Sequence, residues 1–83
     1  MTDTRERYHR IIREHLGVAA DQITDDAEFA ADLNADSLDM IELVAAFDDE
    51  FHITISDDAA EAVVTVKGGL DLVERLLAAA TLQ

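Results

Sequence analysis

Between Leu38 and Phe51, the apolar residues Met40, Leu43, Val44, Phe47 and Phe51 recur at spacings of three and four. That spacing gathers them on one face of an α-helix and would scatter them over both faces of a strand. No other feature restricts the fold as strongly. The one alternating stretch, "HITIS" at 52–56, finds no partner strand elsewhere in the sequence. It therefore reads as an extended connection with Ile53 and Ile55 packed inward. The chain is expected to be all-α.

The flanking segments fit that frame. "TRERYHRIIREHLG" carries Tyr8, Ile11, Ile12 and Leu16 at helical spacing, with Asp3 or Thr4 as cap and Gly17 as stop. "SDDAAEAV" opens on capping residues and is short. "TVKGGLDLVERLLAAA" buries Val66, Leu70, Val73, Leu76 and Leu77, with Thr65 as its cap. Residues 18–35 show no sustained period and read as a loop, with at most a helical turn, pinned by Val18, Ile23, Phe29 and Leu33. The expected architecture is a small four-helix bundle: three main helices, a short third helix, and a long loop between helices 1 and 2. At 83 residues the chain has room for one domain, residues 1–83, and for a thin core. Gly68 and Gly69 weaken the start of the last helix, by up to about 1 kcal/mol each against alanine, and mark it as the first place to fray.

Charge narrows the partners. Nineteen acids face six basic residues, a formal net charge of −13. A nucleic-acid interface needs a basic patch, and an anionic membrane would repel this chain. Stable membrane insertion is not expected, since no apolar run approaches about 20 residues. The field favours a partner with a basic surface, although acids also serve solubility alone. There is no cysteine, so thiol chemistry would have to arrive on an attached group. The start "MTDTRERYHR" has no apolar core of the secretory kind, and the expected setting is a cytoplasmic monomer. No calcium-loop pattern is present and no metal site is expected, but sodium, and more effectively divalent ions between Asp48, Asp49 and Glu50 or Asp57, Asp58 and Glu61, should stabilise the fold.

Ser37 stands at the head of the strongest helix, in "DLNADSLDMIEL". Asp36 is a good N-cap, which frees the Ser37 hydroxyl at the first helical position; the alternative makes Ser37 itself the cap. On a wheel of 100° per residue with Asp39 at zero, the core face runs through Leu43, Phe47, Met40, Phe51 and Val44. Glu42, Asp49 and Glu50 cluster about Asp39, and Leu38, Ile41 and Ala45 form an uncovered apolar flank. A free serine beside an acidic and apolar surface describes a docking site around a reactive point. Catalysis by Ser37 itself lacks support: there is no G-x-S-x-G elbow, and His9, His15 and His52 lie on other segments.

The motif "LNADSLDMIEL", the acidic helix after it, the pair Phe47 and Phe51, "IIREHLGV" and "TVKGGLDLV" together resemble acyl carrier proteins over nearly the whole chain. The resemblance implies that Ser37 accepts 4′-phosphopantetheine from coenzyme A through a phosphopantetheinyl transferase, and needs no base of its own. It implies a non-enzymatic carrier whose acyl thioesters serve acyl-processing enzymes of fatty-acid, polyketide or related lipid synthesis. Their basic patches would dock on Asp36, Asp39, Glu42, Asp48 and Asp49, with Leu38 and Ile41 as apolar anchors. Reversing Asp39 and Glu42 is expected to slow modification far more than it alters stability.

Some positions depart from the commonest family pattern. Asn34 replaces a usual glycine, Ser56 a frequent proline, and Gly68 and Gly69 usual helix formers, while Ala62, Val63 and Val64 make the exit of the third helix apolar. These departures leave the pathway open between a housekeeping and a specialised carrier. A peptidyl or D-alanyl carrier shares the bundle and the serine, and an acidic adaptor that uses Ser37 only as a cap is the remaining alternative.

Overall fold

Asp3 begins the first helix. Its carboxylate accepts the Glu6 N–H at 2.7 Å, and the chain then runs helical over α1, Thr4–Leu16. Gly17, at φ 66°, ends it and returns its N–H to the Arg13 carbonyl at 2.9 Å. This is a computed structural model, and it describes residues 3–81. The remaining helices are α2, Ser37–Phe51; α3, Asp57–Ala62; and α4, Val66–Thr81. Among the described residues the only strand-like pairing is one isolated antiparallel bridge. The all-α bundle is as expected, with a long α1–α2 connection and a short α3.

The long connection holds one 3₁₀ turn, Ala20–Gln22, and is otherwise irregular. Ile23, Phe29 and Leu33 are buried as expected, joined by Ala27 and Ala35, while Val18 is only half-buried. Its backbone anchor is not visible in local sequence. Glu28 pairs with Thr65 as the bridge: Phe29 N–H donates to the Val64 carbonyl at 3.0 Å and Val66 N–H to the Ala27 carbonyl at 2.9 Å. The extended "HITIS" connection buries Ile55 and half-buries Ile53.

The core joins Tyr8, Ile11 and Ile12 of α1, Leu43, Phe47 and Phe51 of α2, and Val66, Leu70, Leu72 and Val73 of α4. Leu72 lies outside the stripe read from the sequence, and Leu76 and Leu77 are only partly covered. The expectation that α4 frays at its glycines is corrected. Gly68 N–H donates to the Thr65 hydroxyl at 3.1 Å, Lys67 N–H to the Asp25 carbonyl at 3.1 Å, and the buried Tyr8 hydroxyl to the Val66 carbonyl at 2.7 Å. A Cβ at position 69 would collide with the Tyr8 hydroxyl. Gly69 therefore costs helix propensity and makes room for the Tyr8 hydroxyl of α1 against α4. Burial, then the charge of Asp71, pushes the Tyr8 phenol well above its ordinary range, so it stays a neutral donor.

The proposed lodging of divalent ions among Asp48, Asp49 and Glu50 is also corrected. Asp48 accepts the Ile55 N–H at 3.0 Å, and Glu50 accepts from Arg7 at 2.7 Å. No group of three His, Cys, Asp or Glu among the described residues, Asp57, Asp58 and Glu61 included, is placed to hold a metal ion.

Candidate functional site

Asp36 settles which residue caps α2. Its side chain accepts the Asp39 N–H at 2.8 Å, and the Asp39 carboxylate accepts the Asp36 N–H at 3.0 Å. This reciprocal box satisfies one helical donor and fixes the entry of the chain. Ser37 is then the first helical residue, exposed, and its hydroxyl has no hydrogen-bond partner among the described residues. The N–H groups of Ser37 and Leu38 precede the i→i−4 ladder and face the positive end of the helix dipole. Just before the motif, Asn34 adopts φ 58°. That left-handed conformation favours glycine and, next, asparagine, which accounts for the asparagine here.

The faces of α2 follow the wheel, with one displaced residue. Leu43, Phe47 and Phe51 are buried and Met40 and Val44 half-buried. Glu50 does not belong to the free acidic stripe. Arg7 donates to its carboxylate at 2.7 Å and to its backbone carbonyl at 2.8 Å, and Arg10 stands 3.6 Å away. The Arg7 hydrogen bond holds the Glu50 carboxyl below the usual carboxylate range. On the wheel Glu50 lies closest of the four acids to the core face, on the side that α1 covers. Arg7 also lies over the Phe51 ring, 4.8 Å from its centroid.

The predicted docking residues therefore divide. Leu38 is 61% and Ile41 66% exposed, and Asp36, Glu42, Ala45 and Asp49 are exposed beside them. Leu38, Ile41, Glu42, Ala45 and Asp49 share one side of α2. Asp39 and Asp48 are half-buried and hold the backbone at Asp36 and Ile55. The expected clean charge reversal at Asp39 is corrected for that reason: a lysine there breaks the capping box. Asp36, Glu42 and Asp49 have no cationic partner among the described residues, because every ion pair there uses other acids. His52 closes the far end of α2, about 22 Å from Ser37 at the helical rise. No histidine hydrogen-bonds Ser37 among the described residues.

Beneath this surface lies an apolar cavity of about 20 Å³, bounded by Met40, Val44 and Phe47 of α2, Ala60 of α3, Val63, and Gly69 of α4 among others. Phe47 is a core residue on the sequence pattern alone, but the shape of this space depends on how three helices meet.

Among the described residues no helix is long and apolar enough to cross a membrane. A family model described as phosphopantetheine attachment site matches residues 9–76, which take in all of α2 and α3 and most of α1 and α4. Such domains carry covalent 4′-phosphopantetheine and meet acyl chains and modifying enzymes. The free hydroxyl and unladdered N–H groups at the head of α2 suit such a group chemically, and the match spans most of the chain: the protein belongs to the phosphopantetheine-attachment family.

Proposed function

We propose that the protein is an acyl carrier and that Ser37 is its attachment residue. The observation that carries this reading is the division of labour at the head of α2: Asp36 caps, and the Ser37 hydroxyl is left exposed and unbonded. When bound, 4′-phosphopantetheine supplies the thiol this chain lacks. The chain's own part is to present the hydroxyl to a transferase and to offer the Ser37 and Leu38 N–H groups to the resulting phosphodiester. Asp36 and Asp39 oppose that anion by repulsion, so docking rather than the local field has to drive the modification. Leu38, Ile41, Glu42 and Asp49, with Asp36, form the surface on which basic patches of the transferase and of acyl-processing enzymes dock. The wholly apolar internal cavity favours acyl over aminoacyl or peptidyl cargo. Lipid or polyketide synthesis is the pathway class this cargo fits.

Intact mass before and after incubation with coenzyme A and a phosphopantetheinyl transferase tests the assignment. Wild-type protein should gain the mass of one arm. Ser37→Ala should gain none and keep the same circular dichroism, because alanine is a good helix former and the cap lies at Asp36. Undiminished loading of Ser37→Ala would remove Ser37 from the mechanism.

A further inference from the structure

We propose that Tyr8 and Gly69 together form the end wall of the apolar cavity and so set the length of acyl chain the protein shelters; this rests on the acyl-carrier reading above. The cavity starts close to the attachment point. Met40, which lines it, is three residues and about 4.5 Å of helical rise beyond Ser37. Its resting volume of about 20 Å³ holds little more than one small group, and its lining is apolar, so water gains nothing there. An acyl chain tethered nearby is driven to enter, because each methylene it hides leaves water.

The walls differ in firmness. On one side stand Ala60 and Val63, at α3 and its exit; α3 has six residues and none is buried. That side can yield. On the other stand the buried Phe29, Phe47, Ile55, Gly69 and Leu72. Tyr8, fully buried, backs Phe47 and Gly69. Its ring stacks on Phe47 with centroids 4.8 Å apart, and its hydroxyl fills the place where any other residue at 69 would carry a side chain. The hydroxyl is held there by its bond to the Val66 carbonyl. An incoming chain can displace the α3 side and stops at the phenol.

The test uses full-length protein loaded on Ser37 with saturated acyl groups from butanoyl to tetradecanoyl, in two-carbon steps. Mass spectrometry first verifies loading; a chain that does not load refutes the carrier reading, not the wall. Melting temperature against chain length should rise and then level off in the wild type. Tyr8→Val should move the plateau to longer chains by at least one step of the series. Tyr8→Val with Gly69→Ala should move it back, because a methyl refills the notch. Tyr8→Phe, which keeps the ring on Phe47 but empties the hydroxyl's place beside Gly69, should move it less than Tyr8→Val does. Identical plateaus in the wild type and Tyr8→Val overturn the wall. Should Tyr8→Val fail to fold, nuclear magnetic resonance of the loaded wild type decides. The Tyr8 ring and Gly69 amide signals should shift as the plateau length is reached, and signals that stay fixed along the whole series refute the proposal.

Discussion

Asp36 and Ser37 are adjacent, both are good caps, and the proposed function depends on which of them does the capping. Local sequence ranks the two about equally at an N-cap; the pairing of Asp36 with Asp39 decides it, because Asp39 returns a bond to the Asp36 N–H. The sequence pattern points to Asp36, with Asp39 near the positive end of the dipole, but leaves Ser37 as the alternative cap; the returning bond from Asp39 is what the structure adds. Asp36→Ala should lose about 1 kcal/mol of stability, whereas Asp36→Asn, which keeps an acceptor, should lose less. The same alanine should slow loading, because Ser37 is then the nearest side chain able to cap and its hydroxyl is drawn toward the helix end. Urea unfolding and a loading time course check both effects. An alanine variant as stable as wild type would show that the box contributes nothing.

At the scale of elements, the helices were readable and their mutual contacts were not. Periodicity placed α2 to within one residue at its start and identified Thr65 as the cap of α4. The Glu28–Thr65 bridge, the fit of Tyr8 into Gly69 and the Arg7–Glu50 pair join residues tens of positions apart. Local propensity holds no record of them, so Gly69 looked like a weakness and Glu50 like free charge. The site's exposed face was half legible: Leu38, Ile41, Glu42 and Asp49 stand free as read, while Asp39 and Asp48 proved to be backbone acceptors. Glu42→Lys with Asp49→Lys should therefore slow modification with little loss of stability, and added salt should slow the wild type as well. Asp39→Lys should lose stability in addition. Transferase rates indifferent to the double reversal and to salt would exclude an electrostatic dock. The α1–α2 contact also carries a pH dependence. Glu50 is held low by Arg7, so its contribution is present above the ordinary carboxylate range and is lost as pH falls through its folded value. His9 is held low too, chiefly by burial and then by Arg5, against the smaller upward pull of Asp25 and Asp3. Its Nε2 is buried with no hydrogen-bond partner among the described residues. The unfolded chain takes up that proton first, so this contribution is present above about pH 6.5 and fades below it. Melting temperature should fall less steeply between about pH 7 and about pH 5.5 in His9→Gln than in wild type. Parallel profiles would acquit His9.

At the scale of the whole molecule, charge is sorted rather than mixed. Four of the six basic residues, Arg5, Arg7, Arg10 and Arg13, lie on α1. Three of them reach Asp25 or Glu50, and Lys67 reaches Asp71. The remaining acids face one another across a body of 37 × 31 × 20 Å with a net charge of −13. At about 0.01 M salt the screening length is near 30 Å, so every acid senses every other. At about 0.15 M it is near 8 Å, and only neighbours interact. The expanded unfolded chain holds its charges farther apart, so screening relieves the folded state more. Salt also weakens the ion pairs, but the exposed ones contribute about 0–1 kcal/mol each, too little to reverse the sign. A gain of about 1 kcal/mol corresponds to roughly 4–8 °C for a domain this small. Sodium chloride raised from about 0.01 to about 0.15 M should therefore lift the melting temperature by several degrees, with most of the gain early in the titration, where the screening length shortens fastest. Calorimetry at fixed pH measures it. A melting temperature that stays level or falls would mean that the four ion pairs among the described residues outweigh the repulsion, and that the acids on α2 cost the fold nothing.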